Sequence, residues 1–591
     1  MHIWDVFAKI KSSEDDKPVP EPTTSQGDEK VASEVRTSTE DSDTESLSKD
    51  AQAGVQKIQA TTSVWSKSNL ILAYVLIWII YFVSTMQQGM TGALTPYVTS
   101  SFQLHSLTAA TSIMSSIIGG LFKLVLAKIL DIWGRPQGFI LMVFVLTVGL
   151  VMMAACQDVE TYAAAQVFYW IGYNGMNFSM SIFIADTSSL KNRSFMFAFS
   201  TSPYIITSWI SGPLASAFLN GPGFRWGFGT MAIIEPIVAM PLFFLFVWNY
   251  RKAKKLGVAP IHNSGRTTMQ SIKHYLIEFD AVGLLLLCGG LALFLLPFSL
   301  YSYQSNGWQS AMIICMIVFG GLLLIAFALY EKFVAPVTFI PFDLLKDRTV
   351  LGANILAAVL FIEFYIWNSY FFSFLQVVNN LSITEATYVG RIYTIGSCFW
   401  ALVVGLLIRW SGRFKWIALY FGLPITILGC ALMIAFRQPG VNVGYIAMCQ
   451  IFIALGGGAL VITEQLAAMA ATSHQYVAVV LAVEGMFASI GGAIGSTVAA
   501  AIWTGTFPGL LQEYLPASAQ GDYLTIYADI TEQLSYPVGS PTRDAINRAY
   551  GESQRYMLIA ASTILIVGVF AVLAWRDLNV KHHKQVKGRV F

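Results

Sequence analysis

Fourteen apolar runs dominate this chain. They fall near 70–90, 106–127, 138–156, 162–184, 196–219, 228–248, 281–300, 311–330, 349–374, 385–408, 416–436, 443–466, 476–503 and 556–576. About 20 residues of helix cross a hydrocarbon core. Lipid offers no water to satisfy backbone groups, so a crossing segment is a helix or a strand of a closed barrel. Barrel strands are roughly 10 residues long and alternate in polarity. The runs here are about twice that length and apolar all round. They predict an all-α polytopic membrane protein of 14 transmembrane helices. Composition agrees: 12% of the 591 residues are charged and 55% are hydrophobic, whereas a soluble domain is about 25% charged.

Several functions are argued against at once. A net charge of +2 without a basic stripe does not suit a nucleic-acid binder. The cysteines at 156, 288, 315, 398, 430 and 449 lie in or beside apolar runs with no metal-ligand spacing. The seven histidines form no cage, and no phosphate-binding Gly-Lys motif is present. The expectation is a protein that is not an enzyme, with no resident metal or cofactor, driven by a gradient rather than a nucleotide.

The flanks set the orientation. Residues 1–66 carry 13 acidic against 7 basic side chains, are rich in Ser and Thr, and lack a signal-peptide core. They read as a disordered acidic cytosolic tail open to phosphorylation or ubiquitin attachment. With the N-terminus inside, inner loops and the C-tail hold 23 Lys and Arg and outer loops hold 5. That asymmetry places both termini in the cytosol. The Arg251–Lys255 cluster then meets anionic lipid at the inner face of the bilayer.

The chain also repeats itself. Ala127, Asp131, Gly134 and Arg135 after span 2 recur as Gly405, Arg409, Gly412 and Arg413 after span 10, at an offset of 278. Gln166 to Gly172 in span 4 echoes Gln450 to Gly456 in span 12, at an offset of 284. Paired halves of this kind mark transporters that bind at the interface of their repeats. The expected layout is a six-helix half over 67–250, a basic linker with two inserted helices over 251–346, and a second six-helix half over 347–576. That second half includes an outer loop at 504–555, and a cytosolic C-tail follows at 577–591. Small residues permit close helix approach, Asp131 can meet a cation or a helix end, and the loop glycines turn the chain. Asp131, Gly134, Arg135, Arg409, Gly412 and Arg413 are therefore the candidate gate.

The loop after span 2 resembles the signature of the major facilitator superfamily, with Ala127 and Ile132 in place of its first Gly and first Arg. Ser208 to Ala217 in span 5 is similar to the Gly-Pro motif of proton-driven antiporters, but their span-4 Arg is missing. Further segments resemble the fungal siderophore–iron transporters, a fourteen-helix, proton-driven branch. They are Tyr97–Phe102, Gln166–Gly175, Phe224–Phe228, Ser369–Ser373, Leu375–Val378, Glu464–Gln465, Met469–Ala471, Gly491–Gly495 and Ala501–Trp503. The resemblance implies proton-coupled import of ferric siderophores at the plasma membrane, with cycling through endosomes. A vacuolar membrane is the alternative location. The same fold carrying haem, or exchanging glutathione for protons, is the runner-up, and a non-transporting sensor of iron chelates is the alternative of another class.

Intramembrane acids and polar aromatics supply the candidate chemistry. Glu363 in span 9 is expected to share a helix face with Trp367, Tyr370 and Phe374, or to pair with Arg391 in span 10. Glu464 and Glu484 join Glu363 as candidate proton carriers. Tyr173, Asn177, Tyr204, Trp367, Tyr370 and Arg391 are candidates for contact with the chelate. Lys123 is expected to snorkel to the interface. Glu235 precedes Pro236 with Arg225 outside its helix, either as a structural pair or as a relay. Tyr514, Tyr523 and Tyr527, with Tyr536, are candidates for capture in the outer loop. Asn380-Leu-Ser382 is a glycosylation sequon in a loop too short for easy use.

Overall fold

The computed structural model describes residues 53–101, 122–256, 268–278, 280–297, 306–337, 342–472, 476–528 and 530–581, with 120, 301 and 304 as single positions. The described residues contain no β-strand, only an isolated bridge between Arg413 and Asn579. Helices come first as α1 (Ala53–Ser63), α2 (Lys67–Ser101), α3 (122–132), α4 (Arg135–Ala155), α5 (Val159–Thr187), α6 (Leu190–Thr201), α7 (Pro203–Asn220) and α8 (Phe224–Lys255). Then follow α9 (Ala281–Leu295), α10 (Ala311–Phe333), α11 (Arg348–Asn368), α12 (Phe371–Val377), α13 (Ile383–Ser411), α14 (Leu423–Phe436), α15 (Val443–Ala470), α16 (Val477–Tyr514) and α17 (Pro541–Leu573).

Ten of the described helical segments are long and apolar enough to cross a membrane. The remaining expected spans depart for local reasons. Helix α5 carries Gln166, Asn174, Asn177, Ser179 and Ser181, which lower its hydropathy. Span 5 is two helices, α6 and α7, because Pro203 has no amide to continue the ladder after Ser202. Helix α9 is only 15 residues long, and most of span 2 lies outside the described residues. Part of the stretch read as a disordered tail is helical, Ala53–Ser63. Residues 1–52 lie outside the description, but α1 is ordered against α8, with Ile58 and Trp65 buried and the Trp65 ring 5.1 Å from Phe246. The expected outer loop is largely helical: α16 runs on to Tyr514, α17 begins at Pro541, and Tyr523–Ala528 and Ile530–Ser535 lie between.

Packing gives the two glycines of the span-4 echo the same task. A Cβ at Gly172 would stand 2.2 Å from the backbone nitrogen of Leu146, where α5 crosses α4. A Cβ at Gly456 would stand 2.7 Å from the carbonyl of Gly422, at the start of α14. Each glycine lets two helix backbones touch, as small residues do in lipid. Helices α9 and α10 pack chiefly on one another. Helix α13 packs on α6 and α7, and α15 also meets α6.

Candidate functional site

A cavity of about 330 Å³ lies where these helices converge. Lys123 enters from α3, Asn174 and Asn177 from α5, and Phe197 from α6. From the other side come Phe361 and Phe364 on α11, Tyr393 on α13, Glu464 and Gln465 on α15, and Glu484 on α16. The polar groups inside an apolar bundle are the informative ones. Glu464 is 1% exposed, and its Oε2 has no hydrogen-bond partner. Glu484 is buried and faces Lys123, Gln465 and Glu464. Gly485 leaves room for the lysine, since a Cβ there would stand 3.1 Å from Lys123 Nζ. The Asn177 side-chain oxygen also lacks a partner. The chamber thus offers one cation, two acids and free amide capacity, beside aromatic faces.

Expected site residues divide sharply. Asn177, Glu464 and Glu484 line the chamber. Lys123 does not snorkel; it is part of the chamber wall. Tyr173 sits behind that wall, its hydroxyl 3.0 Å from that of Tyr204. Glu363 is buried outside the chamber and accepts a hydrogen bond from Cys430 Sγ at 2.8 Å. No ion pair joins it to Arg391 among the described residues. Tyr393 was not anticipated; it lies within electrostatic reach of both Glu363 and Glu464.

The expected common face of Glu363, Trp367, Tyr370 and Phe374 does not form. The helix ends at Asn368, and Tyr370 takes φ 57°, so α12 starts in a new direction. Tyr370 stacks instead on Trp503, with centroids 4.3 Å apart. Trp367 is fully buried against Phe371 and Tyr393. Arg437, one of the five cations that the charge count puts in outer loops, is buried as well. It donates to the Trp367 carbonyl at 2.6 Å and lies 4.3 Å from the Phe371 ring centre.

Relatives bear on what this chamber serves. Residues 77–302 match the Major Facilitator Superfamily. The "MFS siderochrome iron transporter 1" of Ajellomyces capsulatus is 69% identical over 92% of both chains. "Siderochrome iron transporter 2" of Aspergillus fumigatus is 46% identical over 90% of this chain and 88% of its own. "Siderophore iron transporter mirB" of Emericella nidulans is 45% identical over 92% and 90%. The chain belongs to the fungal siderophore–iron transporter family of the major facilitator superfamily. Among solved structures, the human organic anion transporter TETRAN aligns over 85% of this chain and 98% of its own, at 12% identity and a TM-score of 0.51. A bacterial homologue of the human lysosomal transporter Spinster aligns over 86% and 97%, at 15% identity and a TM-score of 0.50. Both show the superfamily fold.

In this family member the signature loop closes on a partner that sequence reasoning missed. Arg135 pairs with Asp131 one turn back and donates from Nε to Asp186 Oδ2 at 2.8 Å, with all three side chains buried. Asp186 lies in the last turn of α5, and only that place at the end of a span marks it. Gly134 turns the chain at φ 120°, a conformation that glycine alone adopts readily. The second copy is built differently. Gly412 caps α13 at φ 77°, Arg409 is exposed, and Arg413 pairs with Asp577 at 3.1 Å near the surface. The offset of 284 puts Ala470 where Asp186 stands, so α15 carries no acid at the position that matches Asp186.

The expected capture tyrosines are partly committed to structure. Tyr514 donates to Glu552 at 2.7 Å beneath the Arg548 guanidinium. Tyr527 packs near Phe507, and Tyr523 is half-buried at the head of its short helix. Arg543 ties the segment down by donating to the carbonyls of Val377, Gln533 and Tyr536. In the sequon, Ser382 is occupied in a capping box with Glu385.

Proposed function

We propose that this chain imports ferric siderophores together with protons by alternating access, and that the chamber between α5 and α15 is where cargo and proton meet. One observation carries the reading. Helices from both ends of the chain surround a buried acid, Glu464, whose Oε2 has no hydrogen-bond partner, beside a lysine and a second acid within electrostatic reach of each other, in a chain closely similar to proteins named for siderophore iron transport. Buried ionisable groups in a membrane are costly and mark ion paths. The chamber is at the low end of the range for small-molecule sites. A bulky chelate therefore requires the surrounding helices to part, which is what rocking halves provide.

The architecture we infer is fourteen spans in two six-helix halves with α9 and α10 inserted. The ten long apolar segments are completed by span 2, α5, the broken α6–α7 pair and α9. Within it, Asn177 meets the chelate, and Tyr173, Tyr204 and Arg391 stand behind it and hold the wall. Glu464 and Glu484 handle the proton, and Glu363 is held in reserve one shell further out. The Asp131–Arg135–Asp186 cluster latches the cytosolic side. Both termini are cytosolic, and the membrane is the plasma membrane. The relatives favour this cargo over haem or glutathione, and the chamber favours transport over sensing.

The test is uptake of radio-iron by iron-starved cells whose only such transporter is this one. Iron is offered as a panel of ferric hydroxamate and catecholate siderophores, with and without a protonophore. Uptake of at least one chelate that the protonophore abolishes is expected. No uptake of any chelate by cells carrying the protein at their surface refutes the cargo. Uptake that survives the protonophore refutes the coupling.

A further inference from the structure

Helix α2 carries a polar stripe that the apolar pattern of span 1 conceals. Ser84, Gln87, Gln88 and Thr91 stand at intervals of three and four, so they share one helix face. Ser84, Gln87 and Thr91 are buried. Each group on the stripe has a partner inside the bundle. Ser84 Oγ donates to Glu235 Oε2 at 3.2 Å, and Gln87 Nε2 donates to Thr91 Oγ1 at 2.7 Å. Tyr169 Oη donates to Gln87 Oε1 at 3.1 Å, and Tyr204 Oη donates to Gln88 Oε1 at 3.3 Å.

Glu235 is the one acid in this cluster. Its residue has no exposed surface, and Oε1 has no hydrogen-bond partner. Among the described residues no cation balances it. Arg225, which would complete the structural-pair alternative, donates to the carbonyls of Cys156 and Ala154 instead. On the elements packed against α8, Lys57 is bound to the Trp133 carbonyl and Arg135 to its two aspartates. Of the tyrosines on α2 and α7, Tyr74 bonds to Thr187, Tyr81 to the Asn177 carbonyl, and Tyr204 to Tyr173 and Gln88. The titratable group within electrostatic reach of Glu235 is Tyr169 on α5. A lone buried carboxylate in lipid has an uncompensated charge, and in membrane proteins such groups mark proton relays. As the acid, it can donate from one oxygen and accept from Ser84 at the other; as the carboxylate, it can only accept.

The stripe also leads somewhere. Tyr169 stacks on Tyr173, whose hydroxyl meets that of Tyr204. Asn177, one turn beyond Tyr173 on α5, lines the chamber.

We propose that Glu235 is a second proton-binding carboxyl, distinct from the acids of the chamber and lodged between α2, α5 and α8, and that the Ser84–Gln87–Thr91 stripe with Tyr169 and Tyr173 links it to the cargo chamber. The chemistry is proton binding and release at one carboxyl, with no other bond made or broken. The role in transport rests on the proton-coupled reading above, whereas the protonation site itself does not.

The test uses the purified full chain in lipid nanodiscs and reconstituted in liposomes. Infrared difference spectra on exchange from water to heavy water report buried carboxylic acids. The wild type is expected to show an acid carbonyl band that Glu235→Gln removes and Ser84→Ala shifts. In liposomes, a radio-iron-labelled cyclic ferric trihydroxamate is the probe. Glu235→Gln is expected to lower proton-driven accumulation by about tenfold or more while counterflow stays within about twofold of the wild type. A carbonyl region unchanged by Glu235→Gln overturns the site, and unchanged accumulation overturns the coupling. If Glu235→Gln fails to fold by size exclusion, Ser84→Ala decides, and an unshifted band overturns the proposal. If the wild type moves neither this probe nor any other chelate of the panel above, the cargo reading fails while the infrared result still decides Glu235.

Discussion

Replacing Arg135 by Ala separates a gate from a scaffold. Arg135 stands between Asp131 and Asp186, and the three side chains are 1–2% exposed. Breaking a buried ion pair by removing one partner costs about 3–5 kcal/mol, because the remaining charge is stranded. Two carboxylates are stranded here, so the upper end of that range applies. If the cluster forms only in the state seen in this structure, the loss moves the conformational equilibrium by roughly 1,000- to 5,000-fold. The assay is alkylation of a cysteine placed at Phe197 in the chamber wall, together with thermal stability and chelate uptake. Arg135→Ala is expected to speed or slow alkylation strongly and to abolish uptake. The decisive control neutralises the whole cluster, with Asp131→Asn, Arg135→Ala and Asp186→Asn together. Removing all three charges relieves their desolvation, so thermal stability is expected to return toward wild type. Uptake is expected to stay low, since no latch remains. Recovery of uptake along with stability would refute the gate and leave a static anchor.

Three further outcomes follow from the same geometry. Lys123→Met strands Glu484 beside Glu464 and is expected to abolish uptake and lower thermal stability, with Lys123→Met/Glu484→Gln recovering the stability but not the uptake. Glu464→Gln is expected to retain chelate binding, measured by quenching of intrinsic fluorescence, and to lose protonophore-sensitive accumulation. Unchanged accumulation would move the proton to Glu363 or Glu484. Tyr370→Gly relieves a left-handed backbone worth about 1–2 kcal/mol and loses a stack worth about 0.5–1.5 kcal/mol. Its melting temperature is therefore expected to stay near wild type, while Tyr370→Ala, which keeps the backbone strain, melts lower.

A pH effect is expected at Asp158, outside the membrane-spanning helices. Its carboxylate accepts the Thr161 amide at 2.6 Å and caps α5. That bond favours the charged form, so the folded carboxyl lies below the usual range. The contribution is therefore present above the unfolded value of about 4 and is lost as pH falls through the lower folded value. The protection of the Thr161 amide, measured as its exchange rate relative to an unstructured peptide at the same pH, is expected to fall on acidification in the wild type, and to be low at both pH values in Asp158→Ala. Equal rates in the two proteins at neutral pH would refute the cap.

What the sequence disclosed depends on how far apart the interacting parts lie. Span length, the repeat and the family motifs are local patterns, and each led to a helix, a packing glycine or the signature loop. Rotation about a helix axis is not local. Lys123 reads equally well as an interfacial lysine or a chamber residue until its neighbours on α15 and α16 are in place. Glu464 and Glu484 are visible as intramembrane acids, but their meeting with Lys123 is a property of three helices. The failure at Tyr370 has a different cause. Acid and aromatics at helical spacing look like one face, and nothing in a tyrosine announces φ 57°, which non-glycine residues seldom adopt. Asp186 shows the reverse case, since its buried partner lies 51 positions earlier and no periodicity connects them. The repeat itself is most informative where it breaks. Gly172 and Gly456 keep one packing task in both copies, whereas Ala470 replaces the acid that Arg135 finds in Asp186. The buried cluster is therefore a feature of the first copy, while the matching arginine of the second makes only a pair near the surface, and if both loops act as latches the two need not open with the same energy.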